Sequence, residues 1–242
     1  MKISFRASDV TVVFLDANIL AKPVTRTLLM VGGVPSGFAA VWSLAAEREA
    51  IAHMRPRAVS PTLIRERFGL PLTPSGTGSE RFEGTRGADR QILADAVAAG
   101  ASFLITEDVD DYGSDDLAGV GVSAVNPDLF LAERLTREAY ETVIALFVER
   151  QVNPPTSPAQ FHAAIARQHP RLFAAHADLY DVEPRLGVHP EPATVSVVHV
   201  AFAVSGLPRG QGCSLMGSAR SAAEPMRSAT RLLTSVWRPE SG

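Results

Sequence analysis

The sequence predicts an α/β protein in which a parallel sheet flanked by helices is followed by a helical C-terminal extension. Thr11–Leu15 is a short apolar, β-branched run that ends at Asp16, as buried parallel strands do. A helical pattern at 89–99 is followed by the apolar run Phe103–Ile105. Helices that alternate with strands indicate a parallel sheet covered on both faces. From residue 127 to about residue 180 the pattern is helical.

The remaining elements are predicted from caps, chain breakers and apolar periodicity. Ser43 and Ser60 are suited to cap helices, and Pro61 stands at the first helical position, which proline favours. The stretch 69–88 is rich in Gly, Pro, Ser and Thr and predicts a loop. The other predicted elements are helices at 25–31, 43–54, 60–68, 129–133, 137–151 and 158–168 and strands at 39–42 and 120–125.

Composition excludes several classes of protein. The 242 residues are 46% hydrophobic and 20% charged, which suits a globular core. No apolar run approaches the ~18 residues of a membrane span, and no secretory signal pattern is present at the N-terminus, so we expect a cytoplasmic protein. The single cysteine, Cys213, excludes a disulfide framework. The net charge of −3 excludes a general electrostatic attraction to nucleic acid.

Three carboxylates stand where a parallel sheet would bring them together. Asp16 ends the first strand, Asp108 follows the strand at 103–105, and Asp89 begins the helix before that strand. Ligands of open parallel sheets bind beyond the carboxyl ends of the strands. Carboxylates that converge there need a cation to stay ionised together, and oxygen ligands favour Mg²⁺ or Mn²⁺. A water molecule acidified by such an ion can attack a phosphodiester.

Each of these acids also has a structural interpretation. Asp16 could form the turn at the end of its strand, and Asp89 could cap its helix. The stretch from Glu107 to Asp116, here called the acidic segment, holds six carboxylates. It is compatible with a solvated loop as well as with a cation site.

Four stretches of the chain resemble the PIN-domain family. VVFLDANIL (12–20) and DRQILADAVAAGASFLITEDVDDY (89–112) resemble its two signature blocks, the second in the form found in toxins. VWSLAAERE (41–49) resembles the segment that carries the second acid of the family. Residues 126–165 resemble the helical extension of one subgroup of VapC-type toxins, so the resemblance covers roughly residues 12–180.

The resemblance implies a Rossmann-like fold and a metal-dependent endoribonuclease, usually the toxin of a type II toxin–antitoxin pair. It implies Mg²⁺ or Mn²⁺ as cofactor, RNA as substrate and a cognate antitoxin as partner, and PIN toxins commonly form homodimers. It divides the chain into a PIN-like nuclease domain at 10–126 and a helical extension at 127–183. We expect residues 184–242 to form a poorly ordered tail, because no clear helical or strand period follows Val204, although Val195–Val204 could add a strand.

Carried over residue by residue, the resemblance makes Asp16 the first acid, Asp89 the third and Asp108 the fourth. Thr106 matches the hydroxyl residue that supports the fourth acid, and Asn18 matches a polar residue two positions beyond the first. Glu49 is preferred as the second acid because of the Val-Trp-Ser before it, with Glu66 as the alternative. Several relatives carry a neutral residue in place of Asp108.

Other basic residues and two other functions are also compatible with the sequence. Arginines near the acids in sequence are candidates for holding RNA phosphates; they are Arg26, which matches a subgroup arginine, Arg81, Arg86 and Arg90. His162, His169 and His176 recur every seven residues but are not expected to bind metal, because Pro170 interrupts their helix. The alternatives are a PIN-like RNA-binding or regulatory module without activity, and a phosphatase on a similar sheet.

Overall fold

The computed structural model describes residues 10–55, 58–151 and 154–182. The tail predicted at 184–242 lies outside the described residues.

A four-stranded parallel sheet forms the centre of the protein. Its strands are β1 (Thr11–Leu15), β2 (Phe38–Val41), β3 (Phe103–Ile105) and β4 (Ser123–Val125). They lie in the order β2-β1-β3-β4, and every neighbouring pair is parallel. Because Leu15 pairs with Ile105, the residues that follow β1 and β3 leave the sheet at the same level. The predicted α/β fold with a PIN-like parallel sheet and a helical extension is confirmed.

Ten α-helices accompany the sheet in the described part of the chain. They are α1 (Ala17–Leu20), α2 (Pro23–Gly33), α3 (Leu44–His53), α4 (Pro61–Phe68), α5 (Asp89–Ala98), α6 (Ser114–Val120), α7 (Pro127–Arg134), α8 (Arg137–Arg150), α9 (Pro158–Ile165) and α10 (Pro170–Ala175). The predicted caps are confirmed, since Ser43 Oγ accepts from the Ala46 N–H and Ser60 Oγ from the Leu63 N–H.

Helix α1, which follows β1, and helix α6, which follows the turn after β3, were not predicted, and α10 was predicted only as part of a helical region. The interpretation of the whole acidic segment as a loop is wrong in part, because its last residues begin α6. Asp115 and Asp116 lie in the first turn of that helix, where negative charge is favourable. The density of negative charge in the acidic segment suggested a loop. The charges of Asp115 and Asp116, however, stand where the start of a helix favours them.

The extension packs on the sheet domain through α2. Leu28 and Leu29 of α2 are fully buried, and α8 lies against this helix. A β-carbon on Gly32 would meet the Leu135 side chain at 2.4 Å, so the chain after α7 passes close to α2. Both Asp128 carboxylate oxygens accept backbone N–H groups at the start of α10, which joins α10 to α7.

The three histidines of the extension are buried in this packing. His162 Nδ1 lies 2.8 Å from the Tyr140 hydroxyl, and His176 stacks on the Tyr140 ring. His169 Nε2 lies 2.9 Å from Thr25 Oγ1 of α2. Burial lowers the pKa of all three, so they pack as neutral rings. These contacts are packing contacts within the extension and with α2.

Within the described residues, no helix has both the length and the apolar character needed to cross a membrane.

Truncation after Asn126 tests how far the sheet domain depends on the extension. Removal of α7–α10 would expose apolar side chains of α2 against which α8 packs, and the burial of one such leucine is worth roughly 1.5–3 kcal/mol. We therefore expect the 1–126 fragment to be insoluble or to lose cooperative unfolding, as followed by circular dichroism. A control fragment that ends at residue 183 retains these helices and should unfold cooperatively. Cooperative unfolding of 1–126 at the temperature of the full chain would contradict this prediction.

Candidate functional site at the carboxyl edge of the sheet

Asp16 and Thr106 connect the ends of the two central strands. The Asp16 N–H donates to the Ile105 carbonyl, which continues the ladder between β1 and β3 by one residue. Thr106 Oγ1 donates to Asp16 Oδ2 at 2.7 Å, and neither side chain is more than 5% exposed. The other carboxylate oxygen of Asp16 accepts from the Ala17 N–H at 2.6 Å. Asp16 therefore caps α1 directly after its strand, and it also faces the edge of the sheet.

Asn18 joins this pair to Asp108. Its Nδ2 lies 3.1 Å from Asp16 Oδ2, from Thr106 Oγ1 and from Asp108 Oδ2. The Asp108 N–H donates to Thr106 Oγ1 at 3.1 Å. The structure thus brings Asp16 and Asp108 to one edge, and the hydroxyl of Thr106 contacts both residues.

Asp89 reaches this edge from the start of α5. Ala88 is the N-cap of α5 and no side chain caps the helix, so the interpretation of Asp89 as a helix cap is wrong. The loop before the helix is held by buried Thr85, whose Oγ1 donates to Asp116 Oδ2 and accepts from the Gly113 N–H. A β-carbon on Gly113 would lie 2.7 Å from the Gly84 backbone. This close approach of two loops keeps Asp89 beside the acidic segment.

The pKa values show that the acids face one another. The pKa of Asp89 is raised to about 6. Burial is the largest cause, and repulsion from other carboxylates adds to it, namely those of Asp16, Asp111, Glu49 and Asp108. Burial also raises the pKa of Asp16, while its hydrogen bonds from Thr106 and Ala17 oppose this shift. Like charges at one edge are therefore only partly compensated by the chain itself.

Two glutamates compete as the second acid, and the structure places them differently. Glu49 lies on α3 and is exposed, and its charge raises the pKa of both Asp16 and Asp89. Glu66 lies on α4 with its carboxylate 3.8 Å from Arg65. The orientation of α3 is set by buried Glu47, which accepts hydrogen bonds from Trp42 Nε1, Thr62 Oγ1 and Arg65 Nε. With Glu47 turned inward, Glu49 faces the other acids.

Several charges of the acidic segment are neutralised by basic residues. Glu107 pairs with Lys22, and Asp111 pairs with Arg86. Arg86 is 74% exposed, and such exposed pairs contribute little to stability. Glu107 and Asp111 of this segment are thus engaged by ion pairs, whereas Asp108 faces the edge of the sheet. Asp89 faces the same edge from the start of α5.

The prediction that Arg26 contacts RNA is wrong, because its side chain is buried. It is 2% exposed and its Nη1 donates to the Leu20 carbonyl, and burial lowers its pKa to about 10. It therefore supports the chain between α1 and α2. Arg90 donates to the carbonyls of Thr85 and Glu83 and so holds the loop before α5. Arg81 and Arg86 are exposed and stay predictions.

Tyr112 is a residue of the site that the sequence analysis missed. It is 5% exposed, and its hydroxyl lies 3.4 Å from Asp16 Oδ2. Burial raises the pKa of Tyr112, and the charges of Asp16, Asp89 and Glu49 raise it further, so this phenol faces three carboxylates. Its position within the acidic segment was the available signal, although an aromatic residue there suggests packing.

The donor set suits a hard divalent cation in its chemistry. Asp16, Glu49, Asp89 and Asp108 offer carboxylate oxygens only. Burial and, after it, the neighbouring carboxylates raise the pKa of Asp89, and a cation would favour its ionised form. Within the described ranges, however, no three His, Cys, Asp or Glu side chains form a group that could hold a metal ion as they stand. Glu49 and Asp108 are exposed, so their carboxylates can change rotamer without disturbing the core.

One comparison with known proteins supports the resemblance. The chain is 34% identical over 91 residues to a protein of Mycobacterium tuberculosis (strain H37Rv) named "Putative ribonuclease VapC50". The matched region is 37% of this chain and 53% of the relative, so the chain spans about half the length of the curated relative that it matches. No family model matches the chain, and no solved structure matches it.

The Asp89→Asn variant tests the repulsion among the acids in the presence of EDTA. The pKa of Asp89 is about 6 in the folded chain against 3.8 for a free side chain, so wild type loses stability as the pH rises from about 4 to 6. The variant should be more stable than wild type above pH 6, by on the order of 1 kcal/mol after solvent screening, and the difference should vanish toward pH 4.

Urea unfolding at several pH values measures this difference. Asp110→Asn is the matched control, because Asp110 is an exposed carboxylate of the same acidic segment. Equal stability of wild type and Asp89→Asn at pH 7.5 would show that burial and the neighbouring acids do not raise the pKa of Asp89.

Proposed function

We propose that this protein is a Mg²⁺- or Mn²⁺-dependent endoribonuclease, the toxin of a toxin–antitoxin pair. The observation that supports this proposal most strongly is the hydrogen-bonded network of Asp16, Thr106, Asn18 and Asp108 at the carboxyl edge of the sheet, where Asp89 also has a raised pKa. Partial similarity to a protein named as a ribonuclease agrees with it.

The four carboxylates would hold the cation. Two of them, Asp16 and Asp108, would be oriented by hydrogen bonds from Thr106, Asn18 and Ala17. Thr106 and Ala17 donate to different oxygens of Asp16, so they hold its carboxylate by both atoms. Asn18 holds Asp108. When bound, a divalent cation supplies an acidified water for attack on phosphorus and compensates the charge of the leaving oxygen. Because Asp89 has a pKa of about 6, its protonation in mildly acidic solution would weaken cation binding.

RNA and a protein inhibitor are the partners that this function requires. Arg81 and Arg86 are exposed, and Arg86 contacts Asp111 of the acidic segment, so they are the candidates for phosphate contacts. An active ribonuclease would damage its host, so an antitoxin must cover the site. The acidic segment favours an antitoxin that brings basic residues to this edge, because complementary charge speeds association. A homodimer is the expected assembly from the resemblance.

Two other functions remain distinguishable by experiment. A PIN-like module without activity would bind RNA and leave it intact. A phosphatase of a similar sheet commonly needs a second Asp two residues after the nucleophile, and Asn18 occupies that position here. Asn18 donates to Asp16 and Asp108, which suits a positioning role and not a proton transfer.

Cleavage of single-stranded RNA by the full chain tests the proposed activity. We expect cleavage with Mg²⁺ or Mn²⁺ and none with EDTA. Asp16→Asn removes a charged oxygen ligand while it keeps the size of the side chain, so the rate should fall by at least about 100-fold. Wild-type rates in Asp16→Asn, or RNA that is bound but never cut by the wild type, would contradict the proposal.

A pair of variants identifies the second acid. Glu49→Gln should lower the cleavage rate by at least about 10-fold with little change in melting temperature, because an exposed ligand is lost without a cavity. Glu66→Gln is the matched control on the neighbouring helix and should behave as wild type. The reverse result would transfer the role to Glu66 and leave the ribonuclease proposal standing.

A further inference from the structure

Tyr112 carries a hydroxyl that its packing does not require. The residue follows the short turn Val109–Asp111 and belongs to the hydrophobic core. A phenylalanine would fill the same space without the free energy needed to remove a hydroxyl from water. A buried tyrosine hydroxyl normally finds a hydrogen-bond partner, and here that partner is Asp16 Oδ2. The hydroxyl is therefore directed at the first acid of the site.

Tyr112 differs from the other donors to Asp16 in the segment of the chain that carries it. Ala17 and Asn18 follow β1 and Thr106 follows β3, so these three hold Asp16 from the ends of the strands. Tyr112 belongs to the acidic segment, whose backbone also carries Asp108. Its hydrogen bond consequently ties the orientation of the Asp16 carboxylate to the position of that segment.

We propose that Tyr112 is a positioning residue whose hydroxyl holds Asp16 in the orientation that binds a divalent cation. This inference rests on the proposed metal-dependent function. Hydrogen bonds from outside the coordination sphere orient metal ligands, and their loss typically lowers metal affinity by 10- to 100-fold. Through Tyr112, the position of the acidic segment thereby affects how tightly the site binds the cation.

Tyr112→Phe in the full chain tests the inference, because it removes the hydroxyl and keeps the ring. We expect Mn²⁺ affinity, measured by calorimetry, to fall about 10- to 100-fold. RNA cleavage should fall at limiting Mn²⁺ and recover as the Mn²⁺ concentration rises. The matched control is Tyr140→Phe, since Tyr140 is also buried but its hydroxyl contacts His162 in the extension. This control should bind Mn²⁺ as the wild type does.

The outcomes separate this inference from the proposed function. Wild-type Mn²⁺ affinity in Tyr112→Phe overturns the positioning role and leaves the ribonuclease proposal intact, provided that the unsubstituted chain binds Mn²⁺ and cuts RNA. A lower melting temperature with unchanged Mn²⁺ affinity shows a structural role only and also overturns it. If the unsubstituted chain neither binds Mn²⁺ nor cuts RNA, both proposals fail.

Discussion

The hydrogen bond from Thr106 to Asp16 joins the ends of two parallel strands, and the acidic edge depends on it. Because β1 and β3 are neighbours in register, the residues after them emerge side by side. The 2.7 Å contact between Thr106 Oγ1 and Asp16 Oδ2 then keeps a buried carboxylate satisfied by the chain. Asn18 extends the same network to Asp108. The site is thus built on the rigid centre of the sheet.

The chain places like charges together and compensates them only in part. The pKa of about 6 at Asp89 shows the remaining cost of this arrangement. Besides the ion pairs of Glu107 and Asp111, neutral groups hold the acidic segment in place. These groups are the Thr85 hydroxyl on Asp116 and the close backbone approach of Gly84 and Gly113. The charges at the edge of the sheet lower the free energy of unfolding, as is common for functional sites. Interactions in other parts of the protein must compensate for this loss.

The extension is one source of that stability. Its helices complete the core over α2, and Asp128 joins α7 to α10 through two backbone N–H groups. His169 contacts Thr25 at the beginning of α2, one turn from Lys22, which pairs with Glu107 of the acidic segment. The packing of the extension is therefore linked through the first turn of α2 to the segment that carries Asp108.

The sequence by itself determined the parallel sheet, its capped helices and the convergence of Asp16 with Asp108, because apolar runs, caps and the rule for parallel strand ends are local signals. Tertiary packing decided the rest. Inward-facing Glu47 turns Glu49 toward the acids, and burial removes Arg26 from the surface. The hydroxyl of Tyr112 meets Asp16 across 96 positions of chain. Such contacts depend on which elements pack together, and no local pattern encodes that.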